Sequence, residues 1–97
     1  MKRVNKRKLG KTGLMVGEIG LGGIPIQRTT QEETNKIIDE CMERGINFID
    51  TAEMYPIGGN AQIFGSTERF IGTWIKKIGA SEREKLVLAT KIAGPNR

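Results

Sequence analysis

Two apolar runs, residues 46–49 and 86–90, each follow an amphipathic stretch closed by a glycine, and this alternation restricts the fold more than any other property of the chain. A strand covered on both faces reads as continuously apolar, and residues 46–49 are so apart from Asn47. The stretch before that run has Thr30 as an N-cap and Glu33 three residues on, the pattern of a capping box. It carries Thr34, Ile37, Ile38, Cys41 and Met42 on one helical face and Glu32, Lys36, Asp39, Glu40 and Glu43 on the other, and Gly45 ends it. A second helix, capped by Ser66 or Thr67, places Phe70, Ile71, Trp74, Ile75 and Ile78 on one face and ends at Gly79. Glu68 in its first turn and Lys76 and Lys77 in its last complement the helix dipole. Gly72 inside it costs about 1 kcal/mol against alanine, a cost that close packing on a neighbour would offset.

Ahead of these elements, residues 7–16 read as a hairpin turning through Gly10-Lys11-Thr12-Gly13, and residues 18–21 read as a first strand entering a Gly- and Pro-containing loop. Strands that alternate with covering helices imply a parallel sheet with right-handed crossovers. The expected fold class is therefore α/β, with a hairpin at 7–16 and a β-α-β-α-β unit over 18–91 in one domain, 1–97.

The net charge of +5 is unevenly placed: Lys2, Arg3, Lys6, Arg7, Lys8 and Lys11 precede the first acid, Glu18. No aromatic residue is interleaved there for base stacking, so a solvated hairpin is expected, with neither nucleic acid nor membrane as partner. No apolar core follows the basic start, as a signal peptide requires, and no stretch reaches transmembrane length. A single cysteine, Cys41, precludes an internal disulfide and suits a reducing, cytoplasmic setting. With no histidine to activate it, Cys41 reads as a packed thiol, and His-based metal sites and Ser-His or Cys-His dyads are excluded.

Three glycine motifs invite a phosphate-binding reading, and each falls short. Residues 20–25, Gly-Leu-Gly-Gly-Ile-Pro, lack the last glycine of the dinucleotide fingerprint and the helix that should follow. Gly10-Lys11-Thr12 ends like a P-loop, but Asn5 stands where the first glycine belongs. Gly58-Gly59 has no nearby lysine.

A stronger constellation comes from strand ends. Asp50 closes the second strand, Lys91 follows the third, and Tyr55 stands five residues beyond Asp50. Parallel strands bring Asp50 and Lys91 to one rim, where parallel barrels gather their functional residues. A carboxylate, an ammonium and a phenol there make a proton-transfer site, in which the ammonium lowers the phenol's pKa and the carboxylate balances the ammonium. A plain ion pair at the sheet rim, with Tyr55 a loop aromatic, is the competing reading. A Schiff-base lysine at Lys91 is a third, disfavoured by a close carboxylate that keeps the amine charged.

The same segments resemble the N-terminal part of the aldo-keto reductase family, in the branch of potassium-channel β-subunit-like reductases. The resemblance rests on Arg7-Lys8-Leu9-Gly10-Lys11-Thr12-Gly13-Leu14, Gly20-Leu21-Gly22, the run 45–55 ending Asp50-Thr51-Ala52-Glu53-Met54-Tyr55, Thr67-Glu68-Arg69-Phe70-Ile71-Gly72 and Ala89-Thr90-Lys91. It implies a (β/α)8 TIM barrel closed at its bottom by the hairpin, of which this chain supplies the first three strands and two helices. It further implies NADPH-dependent reduction of a small carbonyl substrate, an aldehyde or ketone, to an alcohol. Tyr55 would be the general acid, Lys91 would depress its pKa, and Asp50 would pair with Lys91. Gly22, Gly23 and Asp50 would lie beside the nicotinamide, with most of the cofactor site outside this chain and no metal. Met54 and Trp74 are candidate substrate contacts, with core the preferred reading for Trp74 because it lies in the apolar stripe of a helix. The alternative in the same branch is a regulatory or accessory module that binds a partner protein rather than a catalyst.

A full barrel needs roughly 250 residues, so the expectation is a fragment with little activity alone, whose open sheet edges invite a complementing barrel segment or self-association.

Overall fold

The computed structural model describes residues 3–23, 30–52 and 65–92. Strands β1 (Lys6–Lys8) and β2 (Met15–Gly17) form an antiparallel hairpin. A three-stranded parallel sheet follows, ordered β3 (Leu21–Gly22), β4 (Phe48–Asp50) and β5 (Val87–Ala89). Helix α1 (Gln31–Glu43) joins β3 to β4, and α2 (Ser66–Ile78) with the single turn α3 (Ala80–Arg83) joins β4 to β5.

Strands β4 and β5 are each shorter than the apolar run that marks them, and β3 begins only at Leu21, leaving residues 18–20 outside the ladder. Leu21, Ile49 and Leu88 stand in register. Their side chains share one face of the sheet, because alternate residues of a strand point to opposite sides. There Ile49 joins Ile38 of α1, Ile71 and Trp74 of α2 and Leu86 in one buried cluster, with Leu21, Met42, Phe70 and Leu88 packed against it. Phe48, Val87 and Ala89 occupy the other face and are only half-buried.

Helix α1 forms as its ends dictate. The Glu33 amide donates to Thr30 Oγ1 at 3.1 Å and the Thr30 amide to Glu33 Oε1 at 3.3 Å, a reciprocal capping box. At the other end the Ile46 amide donates to the Cys41 carbonyl at 2.8 Å and the Gly45 amide to the Met42 carbonyl at 3.1 Å, the two bonds of a Schellman motif. Gly45 takes φ +82°, which is why glycine stands there.

Helix α2 starts differently from the expected Ser66 or Thr67 cap. Its N-cap is Gly65, at φ 86°, with no side-chain cap bond, so both hydroxyl residues fall inside the first turn. Nor does Gly72 serve close packing among the described residues, since a Cβ added there meets none of their atoms within 4 Å outside its own helix backbone. Gly72→Ala should therefore stabilise the chain by about 0.5–1 kcal/mol, read as a higher urea midpoint at unchanged slope.

The hairpin is stitched to the N-terminal end of the sheet. The Val4 amide donates to the Arg44 carbonyl at 2.8 Å, and Arg3 Nη1 to the Glu43 carbonyl at 2.7 Å. A Cβ on Gly17 would run into the Gly45 carbonyl oxygen, so this contact requires glycine. Asn47, the one polar residue in its run, is 5% exposed and bonds three ways. Its Nδ2 donates to the carbonyls of Met15 at 3.1 Å and Lys85 at 3.0 Å, and its Oδ1 accepts from the Gly17 amide at 2.8 Å.

Candidate active site

Parallel pairing sets Asp50 opposite Ala89. The Thr51 amide donates to the Ala89 carbonyl at 2.8 Å, extending the ladder one residue past β4. Two residues beyond Ala89, Lys91 lies on the same side of the extended chain and reaches back. Its Nζ donates to Asp50 Oδ1 and, at 3.0 Å, to the Thr51 carbonyl. Acid and amine thus meet at the C-terminal rim of the sheet. Their side chains are 55% and 42% exposed, so the pair adds only about 0–1 kcal/mol to stability. A pair worth so little to folding yet held by two bonds leaves a charged group presented to solvent at the end of a rigid sheet.

Gly22 is exposed at the same rim, in register with Asp50. Gly23 is buried, and its amide donates to the Asp50 carbonyl at 2.6 Å. An added Cβ at Gly23 would stand 2.9 Å from that oxygen and 3.2 Å from Thr51 Oγ1. The visible task of Gly23 is thus close approach to β4. The Thr51 hydroxyl, buried beneath the rim, has no hydrogen-bond partner among the described residues.

Tyr55 and Met54 lie outside the described residues. Trp74 is 2% exposed, with its Nε1 donating to Asp39 Oδ1 at 2.8 Å. It stands in the core and beside a cavity of about 490 Å³ lined by Arg3, Asp39, Asn47, Ile78 and Lys85, among others. Asn47 and Lys85 precede β4 and β5, so this cavity is at the sheet end opposite Asp50 and Lys91, and Trp74 is not a contact of the rim.

Cys41 is partly buried, and burial, reinforced by the neighbouring Glu40 carboxylate, pushes its thiol above the ordinary range despite the opposing charge of Arg44. A thiol so placed is a poor nucleophile at neutral pH. Among the described residues no cluster of three or more His, Cys, Asp or Glu could hold a metal ion, and no helix is long and apolar enough to cross a membrane.

One contact at the rim carries no local signal in the sequence. Thr90 Oγ1 donates to Glu68 Oε2 across 22 residues, tying the end of β5 to the first turn of α2.

Comparison with known proteins gives a consistent picture. The model of the aldo/keto reductase family matches residues 14–97. The chain is 46% identical over 88 residues to the uncharacterized oxidoreductase YrpG of Bacillus subtilis, covering 90% of this chain and 26% of YrpG. It is 35% identical over 91 residues to protein Tas of Escherichia coli, covering 93% of this chain and 26% of Tas. Among solved structures, the holo form of aldo-keto reductase AKR11C1 from Bacillus halodurans superposes with a TM-score of 0.70 at 34% identity, over 93% of this chain and 26% of that one. The chain thus spans about a quarter of the length of these relatives. Its hairpin, three parallel strands and two covering helices are the opening part of a (β/α)8 barrel. On these grounds the chain belongs to the aldo/keto reductase family.

Proposed function

We propose that residues 1–97 form the opening domain segment of an NADPH-dependent reductase that converts aldehydes or ketones to alcohols, with Asp50, Tyr55 and Lys91 as its proton-transfer group. The observation that carries this reading is the double engagement of Lys91, whose Nζ donates to Asp50 Oδ1 and to the Thr51 carbonyl. Both acceptors hold the ammonium at the rim and keep it charged. Tyr55, five residues past Asp50, is the acid that protonates the carbonyl oxygen of the substrate. A nearby ammonium stabilises the phenolate left behind and so lowers the cost of giving up the proton.

The rim fits one end of the cofactor. Exposed backbone at Gly22, close-packed backbone at Gly23 and a half-exposed carboxylate at Asp50 make, among the described residues, a polar wall suited to a flat, amide-bearing ring. Bound NADPH would supply the hydride that the carbonyl carbon receives. The chain spans about a quarter of the length of its relatives, and the remaining three quarters would supply most of the cofactor site. The isolated chain is therefore expected to show little or no carbonyl-dependent NADPH oxidation. A cytoplasmic setting, where NADPH is regenerated, suits the activity.

The test is a completed barrel, with this chain grafted in place of the matching quarter of YrpG and carbonyl-dependent NADPH oxidation compared with the parent. We expect turnover in the graft, and its loss with retained NADPH binding in the Tyr55→Phe form. Equal turnover with phenylalanine at position 55 would refute the assignment. NADPH binding without turnover in either form would favour a regulatory module.

A further inference from the structure

We infer that Glu68 is a positioning residue for the Asp50–Lys91 pair: by accepting the Thr90 hydroxyl it pins the end of β5 to α2 and fixes the direction from which Lys91 reaches the rim. The inference deepens the proposed function and rests on its reading of Asp50 and Lys91.

The need for such a pin follows from where the ladder stops. β5 ends at Ala89, and the bond from the Thr51 amide to the Ala89 carbonyl is the last rung between the two strands among the described residues. Thr90, Lys91 and Ile92 are all exposed, and Ile92 is 83% so. Packing therefore does little to hold this segment, and side-chain bonds must define it. The alternation of an extended chain divides the work. Leu88 faces the helices with the core cluster, so Thr90 faces them too, and it meets Glu68. Ala89 is in register with Asp50, so Lys91 faces the same side as Asp50. One hydroxyl bonded to the helix layer and one ammonium bonded to the strand layer clamp the segment from both sides.

Glu68 occupies the third position of α2, where a glutamate commonly turns back to the N-cap backbone. Here it reaches across to Thr90 instead. Its charge still favours the helix N-terminus. Two roles, helix end and strand clamp, thus rest on one side chain, and they respond differently to substitution. Glutamine forfeits the charge but keeps an oxygen to accept from Thr90. Alanine forfeits both.

The experiment is trace acetylation of the chain, with the rate at Lys91 measured by mass spectrometry against Lys36 on α1 as internal reference. Alkylation of Cys41 reports any general opening of the fold. In Glu68→Ala and in Thr90→Val, Lys91 acetylation is expected to rise about tenfold relative to Lys36, the worth of a charge-assisted hydrogen bond. In Glu68→Gln and Thr90→Ser it should stay within about twofold of the parent, as for an ordinary surface change. Cys41 alkylation should not change in any of the four. Two results would overturn the inference: Lys91 reactivity unchanged in both Glu68→Ala and Thr90→Val, or a rise at Lys91 matched by a rise at Cys41. Because no turnover is read, a failure of the reductase assignment would leave this result standing, and the reverse also holds.

Discussion

Lys91→Met in the completed barrel is expected to lower carbonyl reduction by about two to four orders of magnitude, the usual range for a lost proton-transfer contribution. Methionine keeps the length of the side chain and removes its charge. Asp50 Oδ1 and the Thr51 carbonyl lose their shared donor, and under the proposed function the phenol of Tyr55 loses the cation that lowers its pKa. Stability should hardly move. Both partners of the pair are about half exposed, and such pairs contribute about 0–1 kcal/mol. The diagnostic is the disparity between rate and melting temperature. A variant that melts several degrees lower and loses activity in proportion would make the pair a structural tie. A variant that keeps both would leave Lys91 with no role in the chemistry.

The second large effect is expected far from the rim. Asn47→Leu should destabilise the chain by about 2–3 kcal/mol, since a buried hydrogen-bonding group left without a partner costs about 1–3 kcal/mol and a partly buried one less. Three groups are orphaned at once: the Gly17 amide and the carbonyls of Met15 and Lys85. These lie in the hairpin and on the approach to β5, and Asn47 itself precedes β4, so one amide side chain joins three chain segments. Its orientation is fixed by its partners, because the two carbonyls require the nitrogen and the amide requires the oxygen. For a small domain whose total stability is about 5–15 kcal/mol, such a loss is severe. Urea unfolding measures it directly, and a change below about 0.5 kcal/mol, the range of ordinary surface substitutions, would show that the hairpin docks by other means.

Much of this arrangement is legible in the sequence because its signals are local. The Thr30 and Glu33 pair marks the start of α1, and Gly45 marks its end. The strand-helix alternation implies a parallel sheet, and parallel pairing then puts Asp50 and Lys91 at one rim without further information. What escapes the sequence depends on distance or on backbone shape. Ser66 and Thr67 are good capping residues by type, but the left-handed turn at Gly65 takes the N-cap position and puts both inside the helix. The turn α3 is too short to leave a periodic pattern. Asn47 stands out as the single polar residue in an apolar run, yet nothing local says that it bonds to Met15 and Lys85. The bond between Glu68 and Thr90 joins a half-buried glutamate to an exposed threonine, residues that look independent in the sequence.

The central claim, that the ammonium of Lys91 acts on the phenol of Tyr55, has a direct measurement. Tyr55 is the only tyrosine in the chain, so the phenolate absorbance followed through an alkaline titration reports its pKa alone. The account predicts a midpoint below the usual value of about 10 in the native chain, rising to the usual value in Lys91→Met. A phenol that titrates at its ordinary value in both proteins would contradict it.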